Sequence, residues 1–308
     1  MSHLPEHDLP PGRHRLLKEH LMTEIRHTEE APARWRVRLR PALVAAAVAT
    51  AAAVTFVVLP SSDGGGASAR PPTRATVALL EDLALAAEHE QPYGKVRDDQ
   101  FVYVDSKVAV GQAADGRFTV SPLHRQELWM SVDGLHDGLG RETGRGDWEI
   151  PVDVRPGGVG WEVSPFYNHV KTLPTTSDEM WDYLYDTAPK YSGQERYQAM
   201  FVLAGDLLSQ ALLPSEQGAA LFRAVARIPG VTVVGNAVDA IGRHGVAITR
   251  KDPDNPSRDE WIFDRKTYEF IGHRSVATED FSNVKKGTVI GNTAVLSKAV
   301  VDHAGERP

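Results

Sequence analysis

The sequence predicts an α+β protein: a single transmembrane helix, then an extracytoplasmic antiparallel, half-barrel-like sheet packed with helices. Three observations lead there. Residues 41–59, PALVAAAVATAAAVTFVVL, form a stretch of 19 residues without one charge. As a helix it would span about 28 Å, close to the hydrocarbon thickness of a bilayer. After it, apolar periodicity runs helix, strands, three helices, then strands again, with short turn-like links, the pattern of an α+β domain. The 308 residues contain no cysteine. Disulfides, thiol catalysis, acylation and cysteine zinc sites are therefore excluded, and the exported domain must be held by its core.

The flanks of the span set its direction. Arg34, Arg36, Arg38 and Arg40 stand directly before it with Trp35 among them, and a polar Pro/Ser/Asp/Gly stretch follows. Arginines stay cytoplasmic and Trp favours the interface, so the expected topology is a cell-membrane protein with its N-terminus inside and its C-terminal domain outside. A cleavable signal peptide is the rival reading, since Ala67, Ser68 and Ala69 form a small-x-small site. The apolar run is longer than a usual signal core of about 7–15 residues, which favours an uncleaved anchor. Ala45, Ala49 and Ala53 recur at i, i+4, i+8. They form either a small-residue stripe that lets two spans pack as a homodimer or generic apolar filler.

Residues 1–40 form the cytoplasmic segment. They carry eight Lys/Arg against six Asp/Glu, whereas residues 60–308 carry 26 against 35. The acidic balance outside argues against nucleic acid or anionic lipid as the domain's partner. Within the segment, residues 12–27 read as a short amphipathic helix with Leu17, Leu21 and Ile25 on one stripe. Such a helix is marginal alone in water, so the stripe is a candidate partner-binding surface for a cytoplasmic protein or the membrane lipid. His20, Glu24 and His27 share a face, but two further ligands are missing and no metal site is expected there.

Residues 60–75 read as a flexible Gly/Ser/Pro linker, 76–303 as the extracytoplasmic domain and 304–308 as a disordered tail. The domain opens with a helix at 76–90. A strand follows at 98–112 (FVYVDSKVAV), then a strand region at 117–133 that turns at Asp133–Gly134 into a partner at 135–143. Residues 144–160 are Gly-rich and read as irregular. The helical block has a first helix capped by Ser177 or Asp178, a long apolar one at 194–213 and a third at 215–228, stopped by Pro229 and Gly230. Strands return at 231–240, 245–251, 260–264 and 268–278, with a final pair within 286–303.

Nothing in the chain marks a reaction. The nucleophile-elbow, Walker A, dinucleotide-binding and zinc-protease motifs are absent. Gly138, Gly140 and Gly144 have the wrong spacing for a phosphate loop. Asp252, Asp254, Asn255 and Asp259 resemble a calcium loop at a glance, but two prolines and the missing Gly and Glu break the pattern. Tyr183, Tyr185, Tyr191 and Tyr197, near Trp181, could line a pocket or pack as core and rim. His124, His136, His169, His244 and His273 lack ligand spacing. No catalytic residue, metal site or cofactor is expected, and the sequence assigns no ligand-binding residue.

Several stretches together carry a resemblance: LPPGRHRLLKEHLM at 9–22, the Arg-flanked span, FVYVDS at 101–106, ALFRAVARIPGV at 220–231, DAIGRHGVAI at 239–248 and FDRKTYEFIGHR at 263–274. The chain resembles a family of single-pass membrane proteins from high-GC Gram-positive bacteria, often encoded beside an extracytoplasmic-function sigma factor. The likeness covers nearly the whole chain and carries no catalytic residue with it. The order of elements after the span is also similar to the unclosed half-barrel of lipoprotein carriers and of periplasmic sigma-regulatory sensors. These resemblances imply a signalling or regulatory protein that senses outside and meets a sigma factor or other regulator inside. The alternative is a membrane-anchored carrier or binding module for an apolar, lipid-like ligand.

Overall fold

The structure, a computed structural model, describes residues 70–89, 94–114, 116–152, 154–189 and 194–308. The cytoplasmic segment 1–40, the expected span 41–59 and linker residues 60–69 lie outside the described residues. Among the described residues no helix is long and apolar enough to cross a membrane.

The domain starts before residue 76. The Arg70 carbonyl accepts a 2.7 Å bond from the Gly230 amide, and helix α1 spans Arg74–His89. The Thr73 hydroxyl accepts from the Thr76 amide at 3.2 Å, which satisfies a donor the first turn leaves open. Leu80, Leu83 and Ala84 form the buried face of α1, as the 3.6-residue period requires. Each buried leucine contributes about 1.5–3 kcal/mol relative to exposure.

Strand β1, Phe101–Ala109, is almost wholly buried. The expected strand region 117–133 breaks at Pro122 into β3, Arg117–Val120, and β4, His124–Ser131. The short β2, Gly111–Ala114, pairs only with β3. β5, Gly138–Glu142, returns along β4 after the Asp133–Gly134 turn as expected, with Trp129 opposite Leu139. The Gly-rich stretch, expected to be irregular, holds a further strand. β6, Gly146–Ile150, pairs with β5 through a turn that puts Gly144 and Gly146 at positive φ.

The helical block follows. A one-turn helix α2, Tyr167–Val170, precedes α3, Ser177–Thr187. Thr176, not Ser177 or Asp178, is the cap of α3. Its hydroxyl oxygen accepts from the Glu179 amide and donates to the Glu179 carboxylate at 2.7 Å, which satisfies an open donor of the first turn and fixes the helix start. α4, Arg196–Gln210, and α5, Ser215–Val225, complete the block.

β7 (Thr232–Val238), β8 (His244–Lys251), β9 (Ser257–Phe263) and β10 (Phe270–Ala277) form a meander. The expected final pair is instead one strand, β11, Val289–Val301. Its register against β1 shifts between Asp105 and Ser106, and that bulge makes one strand read as two. The strands form a nine-stranded antiparallel sheet in the order β6-β5-β4-β1-β11-β10-β9-β8-β7. The sheet is open, with β6 and β7 at its edges and the helical block connecting them in sequence. This is the α+β architecture expected.

The helices pack on one face of the sheet. Leu80, Leu184, Phe201, Leu207 and Phe222 meet Val246, Ile248, Trp261 and Phe263 in the main core. On the other face Tyr103, Trp129 and Val301 form a smaller cluster. The tail expected to be disordered folds back over this cluster. Arg307 donates twice to Glu127, at 2.6 and 2.7 Å, and the Trp129 indole donates to the Glu306 carbonyl. Tyr103 also donates to Glu127, at 2.7 Å. Arg307 leads the interactions that hold the Glu127 carboxyl below its usual range. Burial, then the bond to Glu127, pushes the Tyr103 phenol up to about 12. A buried carboxylate needs these donors, so the sequence's last arginine belongs to the fold.

Candidate functional site

The site is a cleft of about 530 Å³ at the C-terminal end of α1. Leu83, Ala86 and Ala87 of α1 form one wall, and Leu213 and Phe222 close it from α5 and the segment before it. Phe263, Tyr268 and Phe270 approach from the β9–β10 hairpin, and Val295 and Lys298 from β11. Gly218 of α5 faces Ala87 of α1 at this wall, where a Cβ would make an ordinary 3.5 Å contact with the Ala87 Cβ.

The cleft mixes apolar side chains with polar ones, His89, Ser215, Thr267, Glu269 and Ser297 among them, and holds a fixed cation. Lys298 Nζ donates to the carbonyls of Leu208 and Ala211 at 2.7 and 3.0 Å. These lie at the end of α4, where the helix presents unpaired carbonyls and the negative end of its dipole. The same ammonium stands 5.8 Å from the centre of the Phe270 ring, within reach of a cation–π attraction. Across the cleft, the Tyr268 hydroxyl stands 3.5 Å from Asp82 of α1. Burial, then Asp82, raises the Tyr268 phenol above its ordinary value.

Apolar side chains that converge with placed polar groups in one cleft are features of a binding pocket, and this cleft has both. Among the described residues no group of three or more His, Asp or Glu could hold a metal ion.

The residues named from sequence fall elsewhere. Leu17, Leu21 and Ile25, the flank Arg34, Trp35, Arg36, Arg38 and Arg40, and the stripe Ala45, Ala49 and Ala53 all lie outside the described residues. The aspartate-rich 252–259 loop closes on itself. Asp252 accepts from the amides of Asp254 and Asn255 at 2.8 and 3.1 Å and from the Asn255 side chain at 2.9 Å. Of the aromatic group, Tyr191 lies outside the described residues and Tyr185 is exposed beneath the Arg196 guanidinium, while the others divide between two packed places. Trp181 faces Tyr197, with centroids 6.3 Å apart, while Tyr183 lies by His169 and donates to the Glu162 carbonyl. His169 is buried beside Trp161, and that burial lowers its pKa. The cleft residues gave little warning in sequence. The apolar ones read as core on their own elements, although the resemblance stretch at 263–274 holds Phe263, Thr267, Tyr268, Glu269 and Phe270 and that at 220–231 holds Phe222.

The described fold and cleft define an α+β domain with a one-sided helical layer and a lined, solvent-reachable cleft. No family model and no curated protein matches the chain. Among solved structures, the complex structure of Pseudomonas aeruginosa MucA/MucB aligns with 13% identity and a TM-score of 0.25. The alignment covers 73% of this chain and 57% of that one. A likeness of this size carries no argument about what the chain does.

Proposed function

We propose that the chain is a single-pass membrane protein whose extracytoplasmic domain takes a ligand with an apolar body into the cleft, as the sensing part of a regulator. The cleft carries this reading: about 530 Å³ walled by Leu83, Leu213, Phe222, Phe263 and Phe270 is within the usual range of small-molecule sites, roughly 300–1,000 Å³. The uncharged stretch 41–59 behind its arginines supports the anchor and the direction. The apolar stripe Leu17, Leu21 and Ile25 supports a cytoplasmic contact, with a sigma factor as the partner that the family resemblance suggests.

The ligand half is tested by photolabelling. The full chain in phosphatidylcholine nanodiscs is exposed to a long-chain alkyl diazirine, and adducts are mapped by peptide mass spectrometry. Adducts are expected on peptides from α1, α5 and the β9–β10 hairpin. Ala86→Trp, which fills the cleft from a partly exposed helix position, should lower that labelling about tenfold, equivalent to roughly 1.4 kcal/mol of binding. Labelling confined to 41–59 would overturn the reading.

The regulatory half is tested inside the cell. Leu17→Asp combined with Leu21→Asp should abolish co-purification of a sigma factor or another cytoplasmic regulator while leaving membrane insertion intact. The same cleft also suits an anchored carrier, in which residues 1–40 are only a topogenic signal. That reading takes over if the wild-type chain brings down no cytoplasmic protein.

A further inference from the structure

The hairpin that walls the cleft departs from a pattern seen elsewhere in the sheet. Four connections between neighbouring strands, β4–β5, β5–β6, β7–β8 and β10–β11, place glycine at positive φ: Gly134, Gly144, Gly242 and Gly287. The β9–β10 connection places Tyr268 there, at φ 60°. A bulky side chain is costly in this region, because its Cβ crowds the backbone.

The turn leaves Tyr268 no alternative. Asp264 accepts from the amides of Lys266 and Thr267 at 2.7 and 3.0 Å. The Tyr268 amide donates to the Asp264 carbonyl at 3.1 Å, and the Asp264 amide donates to the Glu269 carbonyl at 2.9 Å. Four bonds therefore fix a loop shape that glycine would satisfy with less strain. The other non-glycine residue at positive φ among those described is Ser282. Its hydroxyl is committed to the Gly116 carbonyl at 2.6 Å, so a hydrogen bond to backbone accounts for it. The Tyr268 side chain makes its contacts across the cleft instead. Its ring lines the cleft and its hydroxyl reaches over to Asp82.

The geometry points to Tyr268 as a ligand-contacting residue of the cleft, an aromatic side chain kept at a glycine position because its ring covers the apolar body of the occupant. This rests on the reading of the cleft as a ligand site. The ring also packs on the edge of the main core. Packing alone predicts that removing it costs stability and leaves ligand capture by the folded protein unchanged.

The test compares the full chain in phosphatidylcholine nanodiscs with its Tyr268→Gly, Tyr268→Asn and Tyr268→Phe variants. The long-chain alkyl diazirine is the probe, and thermal midpoints are measured alongside. Tyr268→Gly relieves the backbone strain, and Tyr268→Asn supplies a second side chain that tolerates this conformation should the first fold poorly. Both are expected to keep a midpoint close to wild type, with strain relief offsetting the lost packing. Both should lose about tenfold in labelling of the α1 and α5 peptides, the loss of roughly 1.4 kcal/mol of binding. Tyr268→Phe, which keeps the ring, should label like wild type. Unchanged labelling in the folded Gly or Asn variant overturns the assignment while leaving the cleft a ligand site. Absence of cleft labelling in the wild type overturns both.

Discussion

Replacing Glu195 by alanine is expected to lower the stability of the protein by about 1.5–3 kcal/mol, the worth of a hydrogen bond to a charged group, with the lost helix cap adding to it. The charge is Arg250 of β8, whose side chain is fully buried. Its guanidinium donates to the Glu195 carboxylate, the Gln198 side-chain oxygen and the Pro229 carbonyl, at 2.7, 2.7 and 2.9 Å. Burial pulls the guanidinium below its ordinary range, and Glu195 opposes that pull. Glu195 also caps α4, accepting from the amides of Tyr197 and Gln198 at 3.0 and 2.9 Å. Glu195→Gln keeps an acceptor for the helix while removing the charge, so it separates the cap from the ion pair. Denaturant unfolding of the full chain measures both variants. If the glutamine variant is as stable as wild type, the cap and not the ion pair supplies the stabilisation.

The parts of this fold visible in the sequence are those whose signal is local. α1, β1 and the three-helix block announce themselves through period and caps, because a helix stripe or a buried strand is written in consecutive residues. β6 is hidden because GDWEI lies between glycines that look like loop, and only its pairing with β5 makes it a strand. β11 looks like two strands because its bulge flips the in-out alternation partway along. The tail looks disordered because Glu306 and Arg307 carry no apolar signal; what orders them is a carboxylate about 180 positions earlier in the chain. The cleft is hidden for the same reason. Leu83, Phe222, Phe263 and Lys298 each read as an ordinary member of its own element, and their convergence is a property of strand order and helix packing. The strain at Tyr268 is likewise silent, since Thr-Tyr-Glu is no turn signature and the positive φ is imposed by Asp264.

The largest packing effect is expected at Trp261. Its indole lies in β9 at 2% exposure and stacks on Phe201 of α4, with ring centroids 3.9 Å apart and planes 8° from parallel. This pair joins the helical layer to the sheet. Trp261→Ala should cost about 3–5 kcal/mol, combining the lost transfer energy with the cavity left between rigid elements. Gly205 provides the check on this account. A Cβ at Gly205 would lie 2.6 Å from the Trp261 indole nitrogen and 2.9 Å from the adjoining ring carbon, so the bare backbone of α4 is what lets the indole lie flat. In an open helix, glycine to alanine stabilises by about 1 kcal/mol. Here Gly205→Ala should destabilise by about 1–3 kcal/mol, because overpacking against a stacked ring outweighs propensity. Combining Gly205→Ala with Trp261→Phe should recover part of that loss, since the smaller ring frees the space, and residues in contact are expected to be non-additive. Urea unfolding of the single and double variants gives the comparison. A Gly205→Ala variant as stable as wild type would mean that the indole does not rest on α4.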